Sequence, residues 1–446
     1  MRAPEPEFTS RISEPESPER VGSLALLKAT RRLLPFLFFL YVLAYLDRIN
    51  VSFAQLQMEE ELGFSDAVYG FGASVFFIGF TLFEIPSNLM LRRVGARGWI
   101  ARIMLSWGLI SSGMALIETP VQFYLMRFAL GAAEAGFFPG IILYLGDWFP
   151  DQQRARVISA FMTATAAAGV IGAPLSGYLL GLHGFHGLDG WQWLFLVEGI
   201  PSVLAGFAVF WLLPDSPNQA TWLSQAEKRE LSGLLARDAL PSGGQRGAFD
   251  LMRSPQILRL GFFYFTIILS FNSLSLWMPQ IIKGSLMLDN ASVAYLTALP
   301  FVLAAIAMVF NGLHSDRSAE RLWHVILPAF LGALGLVFTV FVQGRPLLEL
   351  MGICLATVGV WATLGPFWTL PSSILHRNAA AVGFAFINSL GAVGGFIGPN
   401  LLALSKTYLG SLNPALLVLS VFLLAGTLSF RSRWQQDRSQ GSLNLP

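Results

Sequence analysis

Charge is what this chain has least of: 13% of its 446 residues are Asp, Glu, Lys or Arg, where a soluble domain carries about a quarter. With 54% hydrophobic residues and a mean hydropathy of +0.58, that scarcity excludes an ordinary soluble protein and points to an integral membrane one. Cysteine is rarer still. Cys354 stands alone, so neither a disulfide framework nor a thiolate metal site can form within one chain. The net charge is only +2 and the basic residues are scattered between apolar runs, which excludes a nucleic-acid surface. Residues 1 to about 20 are rich in Pro, Glu and Ser and lack the apolar core of a signal peptide. They read as a disordered tail, and the first apolar run must act as its own insertion signal. No strong nucleophile, metal or nucleotide motif supports an enzyme, and no sizeable soluble domain supports signalling. His183 and His186 lie in a Gly-rich loop, where a metal site is not expected.

What is present is a train of long apolar runs. Crossing hydrocarbon takes about 20 residues at 1.5 Å each. Twelve such runs can be placed, near 32–55, 67–91, 98–118, 121–146, 155–182, 192–213, 257–282, 292–314, 322–343, 347–373, 379–406 and 411–430. The loops between them alternate in charge. One set, which includes both termini, holds Arg92, Arg93, Arg97, Arg154, Arg156, Lys228, Arg229 and Arg317 among its basic residues; the other holds only Lys283, Arg345 and Lys406. By the positive-inside rule the basic set and both termini are cytoplasmic, and an even number of spans agrees, since it places both ends on one side. Residues 214–256 are far more polar than their surroundings and form a linker between two six-helix halves, 31–213 and 257–430, with tails at 1–30 and 431–446. Within the linker, Ser224 and Glu227 have capping-box spacing, and Leu223, Leu231, Leu234 and Leu235 form one apolar stripe. Such a helix either lies on the membrane, braces the halves or stays solvated.

Four charges interrupt the apolar runs: Asp47 and Arg48 in the first, Arg127 and Glu134 in the fourth. An ionised group at membrane depth is tolerated when it faces a partner or a water-filled path. Both signs occur in both runs, which implies a polar cavity inside the bundle. Asp47 lies roughly 22 Å along the first helix, and Arg127 roughly 9 Å along the fourth, which enters from the opposite side. The two therefore fall at similar heights, and Glu134, two turns beyond Arg127, falls near the midplane on the same face. Arg48 is offset about 100° from Asp47, so one of them can face a neighbouring helix while the other faces the cavity. The competing reading is a set of structural ion pairs that lock helices one and four together.

The second half echoes the first. NLMLRRVG at 88 corresponds to GLHSDRSA at 312, VISAF at 157 to VGFAF at 382, and GVIGAP at 169 to GFIGP at 395, at offsets of 224, 225 and 226 residues. Parallel repeats of this kind build carriers that bind at the midplane and rock to expose the site to each side in turn.

The twelve spans in two sixes and the Gly312, Asp316, Arg317 loop resemble the major facilitator superfamily. More specifically, LDRINVSFA at 46, EIPSNLMLRRVGAR at 84, MRFALGAAEAGFFPG at 126, FWTLPSSIL at 367 and FINSLGAVGGFIGP at 386 resemble its anion:cation symporter family, whose members include galactonate, tartrate, phthalate and hydroxyphenylacetate permeases. The resemblance implies an all-α bundle of twelve transmembrane helices in the inner (plasma) membrane, working as a monomer. It implies proton-coupled symport of a small organic anion such as a sugar acid, a tartrate-like acid or an aromatic acid. The proton is then the coupling ion and no cofactor is needed. An organic-anion antiporter or efflux carrier is the alternative on the same fold. The resemblance assigns proton coupling to Asp47 and Glu134, and substrate binding to Arg48, Arg127, Tyr45 and Asn388. Trp368, Thr369 and Asn272 supply further polar and aromatic groups in the second half. Thr163 and Thr165 have the alternative of bonding back to their own helix. Glu84 is expected to pair with loop arginines as an inner gate, in a gating set with Arg93, Asp316 and Arg317. The first loop motif departs from the superfamily pattern, with Asn88 in place of Gly and Arg92 in place of Asp.

Overall fold

Backbone amides in lipid have no water to bond, so each apolar run closes its own hydrogen bonds as a helix. The computed structural model describes residues 18–238, 253–318, 320–374 and 377–439; within them, side chains at 18–19, 151–152, 155, 237–238, 372–374, 377–382, 385 and 431–439 are not described. The first half comprises α1 (Pro18–Glu61), α2 (Asp66–Val94), α3 (Ala96–Gly113), α4 (Pro120–Glu134), α5 (Phe137–Gly146), α6 (Asp151–Met162), α7 (Ala164–Leu180) and α8 (Gly190–Leu212). The linker carries α9 (Gln225–Asp238). The second half comprises α10 (Pro255–Leu286), α11 (Asn290–Ser318), α12 (Trp323–Phe341), α13 (Pro346–Ile374), α14 (Arg377–Leu409) and α15 (Asn413–Ser439). Among the described residues twelve spans are long and apolar enough to cross a membrane, as the sequence predicts, with the fourth and fifth each broken into two helices.

Helix starts are chemically marked. Thr119 and Gln122 form a capping box with Pro120 in the first turn of α4, and Asp189 with Gln192 forms another at α8. α4 stops at Glu134 because Gly136 adopts φ +84°, left-handed backbone that turns the chain before α5.

The expected tails are shorter than the sequence suggests. α1 begins at Pro18, so residues 18–30 are helical, and α15 runs on to Ser439; residues 1–17, 239–252 and 440–446 lie outside the described residues. The helical extension of α1 has a partner: Ala25, Leu26 and Ala29 are buried, Lys28 pairs with Glu227 of α9 at 2.6 Å, and Arg32 lies 5.7 Å from the Trp222 ring. The predicted capping box of α9 forms, with Glu227 N to Ser224 Oγ at 3.2 Å and Ser224 N to Glu227 Oε2 at 2.8 Å. Leu223 and Leu231 are buried, with Leu234 and Leu235 packed beside the core. α9 is thus a brace on α1. Desolvation pushes the Glu227 carboxyl up, but the Lys28 ammonium and the Ser224 bonds outweigh it and hold the group below its ordinary range.

The halves meet along two seams, α2 against α14 and α7 against α11. A Cβ on Gly70 would sit 2.1 Å from Ala403 Cβ, and one on Gly177 would sit 3.2 Å from Ala294 Cβ. Positions 70 and 294, and 177 and 403, are related by the repeat offset. The duplication read in the sequence is therefore the pseudo-twofold axis of the interface. Lipid supplies no hydrophobic drive between helices, so such small-residue contacts let the backbones approach and gain dispersion energy. At the face away from the linker, Lys406 pairs with Asp66 at 2.8 Å, Lys283 with Glu60 at 3.7 Å, and Asn290 Nδ2 donates to Leu56 O at 3.1 Å. These bonds hold the far-face ends of the halves together.

Candidate functional site

Of the four membrane-depth charges, Arg48 lines a central cavity and is bonded to a second, Glu134, while the other two find partners elsewhere. Arg48 Nη2 donates to Glu134 Oε1, joining α1 to the last residue of α4. Glu134 sits at the negative end of α4, where a carboxylate is disfavoured, so the guanidinium also offsets the helix dipole. Arg48 stands 5.3 Å and 5.7 Å from the rings of Phe76 and Phe80, faces that attract a cation.

Asp47 faces the other way. Its Oδ2 accepts from Trp107 Nε1 at 2.8 Å and Ser202 Oγ at 2.6 Å, and its Oδ1 accepts from Ser111 Oγ at 2.6 Å. Three donors from α3 and α8 anchor α1 there, and Asp47 reaches the cavity only through its neighbour Arg48.

Arg127 is corrected more sharply. Expected as a substrate ligand, it is fully buried, with Nε and Nη2 each 3.4 Å from the carbonyls of Gly72 and Ala73, and it does not line the cavity. The cause is the close seam of α2 and α4: a Cβ on Gly131 would lie 2.0 Å from Phe76 O, so the helices touch backbone to backbone and Arg127 lands on α2 carbonyls. It still shares a ring with the site, lying 5.1 Å from Phe76 on which Arg48 also rests.

The cavity, about 70 Å³, lies between the halves, with room for a few waters or a small acid. Arg48 is the single cation among its described lining residues. Tyr45 lines it as expected, and its hydroxyl lies 2.8 Å from Ser275 Oγ of α10, tying the halves together. Asn272 lines it with Nδ2 bonded to Ile268 O at 3.2 Å, and Thr165 lines it with Oγ1 bonded to Met162 O at 2.9 Å. Thr163, too, bonds back to its own helix, at Ala160 O. Trp368 stands behind the lining, 4.9 Å from Tyr264, and Thr369 Oγ1 bonds to Pro366 O at 2.7 Å.

Asn388 lines the cavity, and its Nδ2 donates to Glu84 Oε1. This overturns the expected partner of Glu84: it is an amide across the interface and not a loop arginine. Glu84 lies inside α2, away from Arg92 and Arg93, which are exposed in the last turn. The second-half motif is also rearranged, since Asp316 pairs with Arg321 at 2.6 Å in its own loop while Arg317 is exposed. On the far face, His183 Nδ1 lies 3.1 Å from Glu61 and 3.5 Å from Asp189.

Two buried acids escaped the sequence reading, Glu349 near the start of α13 and Glu198 in the middle of α8. Glu198 in α8 is 2% exposed and accepts from Ser176 Oγ at 3.1 Å, one turn before the Ser202 that bonds Asp47. A lone carboxylate inside the apolar run 190–212 was the signal.

Residues 37–399 match the model of the Major Facilitator Superfamily, and the chain belongs to that family of transporters. It is 43% identical over 385 residues to a putative tartrate transporter of Agrobacterium vitis, covering 86% of this chain and 88% of that one. It is 42% identical over 405 residues to the putative metabolite transport protein NicT of Pseudomonas putida, covering 89% and 93%. Among solved structures it resembles a bacterial homologue of the human lysosomal transporter Spinster, with TM-score 0.71 at 16% identity, covering 92% of this chain and 96% of that one. The expectation of a carrier and not an enzyme holds, and the protein is a multi-pass membrane transporter.

Proposed function

We propose that this transporter carries a small organic carboxylate together with a proton. One observation carries the reading: the only cation among the described residues of the cavity lining, Arg48, is already bonded to a carboxylate, Glu134. Substrate and Glu134 compete for one guanidinium. Protonating Glu134 frees Arg48 for the incoming anion, and binding the anion holds the proton on Glu134, so neither ligand binds well alone. Rocking of the two halves about their pseudo-twofold interface then carries both across. The Glu84–Asn388 bond joins the halves on the linker side of the cavity and parts when that side opens. The linker face is cytoplasmic in this reading, since the basic loops lie there, and the membrane is the inner (plasma) membrane. The names of relatives support organic acids as cargo.

The test is Glu134→Gln, which fixes the neutral form. It should abolish proton-driven accumulation while substrate exchange persists; unchanged concentrative uptake would sink the proposal. Antiport or efflux is separated by the direction of proton movement. Adding substrate outside lightly buffered vesicles should alkalinise the medium for symport and leave it unchanged or acidify it for antiport.

A further inference from the structure

The lining of the cavity narrows the cargo. Half of it is aromatic, and the rings come from both halves. On the first-half side, Tyr41 stacks on Phe161 at 4.5 Å and 14°, and Phe138 packs on the same ring at 6.2 Å and 18°. On the second-half side, Tyr264 stacks on Phe367 at 4.9 Å and 15°, and Phe271 lies against Trp361 at 4.3 Å. Each lining ring is backed by another ring, so the walls are held in place before anything binds. A planar ring between them gains offset or edge contacts on both sides.

The polar groups point the same way. Tyr45, Thr165, Asn272 and Asn388 each already commit a hydroxyl or an amide N–H to protein. Beside them the described lining adds the hydroxyls of Tyr41 and Tyr264, so a polyhydroxylated acid would trade a full shell of water for a handful of partners. A second carboxylate fares no better, because Arg48 is the one cation among the described lining residues and the Asn388 amide donates to Glu84.

We infer that the cavity is built for an aromatic monocarboxylate, its carboxylate on Arg48 and its ring between the Tyr41–Phe138 and Tyr264–Phe271 walls. This rests on the carboxylate reading above and sharpens it.

The experiment measures Kd on the purified full-length protein at pH 6 with benzoate, hydroxybenzoate, tartrate and gluconate, by calorimetry or competition. An aromatic acid should bind at least about tenfold more tightly than tartrate or gluconate, the ratio expected from one or two good ring contacts. Phe138→Leu should weaken the aromatic acids about fivefold and leave the aliphatic ratio within twofold, a class-selective change that misfolding cannot mimic. Tighter binding of tartrate or gluconate than of every aromatic acid overturns this inference and spares the carboxylate reading. Binding of none of the four, or binding that Arg48→Ala leaves intact, overturns both.

Discussion

Asp47 and Arg48 are neighbours in the chain with opposite surroundings, because successive helical residues point about 100° apart. Arg48 meets the cavity and Asp47 meets Trp107, Ser111 and Ser202. Arg48→Lys keeps the charge but loses the forked geometry and the planar contact with Phe76 and Phe80. It should weaken substrate binding about 10- to 100-fold in a Kd measurement, in line with a charged hydrogen bond of about 1.5–3 kcal/mol. Asp47→Asn removes an acceptor from among three donors, and should lower thermal stability by about 1–3 kcal/mol. Proton-driven uptake per folded carrier should persist. A stable Asp47→Asn protein that binds substrate but no longer couples would instead make Asp47 a proton carrier alongside Glu134.

Among elements, the break after α4 and the brace α9 carry separate consequences. Gly136 at φ +84° has no room for a side chain, since a Cβ there would lie 2.3 Å from Ser87 Oγ. Gly136→Ala should cost about 1–2 kcal/mol of backbone strain and, by shifting the end of α4, move Glu134 off Arg48. Uptake should then fall further than the thermal midpoint does. The α9 brace is pH-dependent with a fixed sign. Because the folded-state Glu227 carboxyl sits below its ordinary range, its stabilisation is complete above the unfolded value of about 4.3 and is lost as pH falls through the lower folded value. Amide protection in α9, corrected for intrinsic exchange, should stay level from pH 7 to about 5 and decline below about 4. Lys28→Met should remove most of that decline.

At the scale of the whole molecule, two seams related by the repeat let one half rock on the other. Gly70→Ala puts a Cβ 2.1 Å from that of Ala403, and the overlap opens the far-face end of the α2–α14 seam. Overpacking of about 1–3 kcal/mol should bias the carrier against this closed far face and reduce turnover about tenfold. Hydrogen exchange at the far-face ends of α2 and α14 should rise while far-UV circular dichroism stays unchanged. Normal turnover in Gly70→Ala would mean that this seam does not part during transport.

Sequence alone determined the number of spans, the linker helix with its cap and stripe, and how far along their helices Asp47, Arg48, Arg127 and Glu134 lie. These are properties of one helix at a time: length, hydropathy and local capping are written along the chain, and lipid leaves helix as the solution for each run. Tertiary structure decided which charges see the cavity. Depth along a helix follows from residue count, but rotation about its axis is set by its neighbours. The close α2–α4 seam turned Arg127 onto the carbonyls of Gly72 and Ala73, α3 and α8 captured Asp47, and α14 brought Asn388 to Glu84. Those partners lie tens to hundreds of residues away in the chain, so no local pattern could have named them.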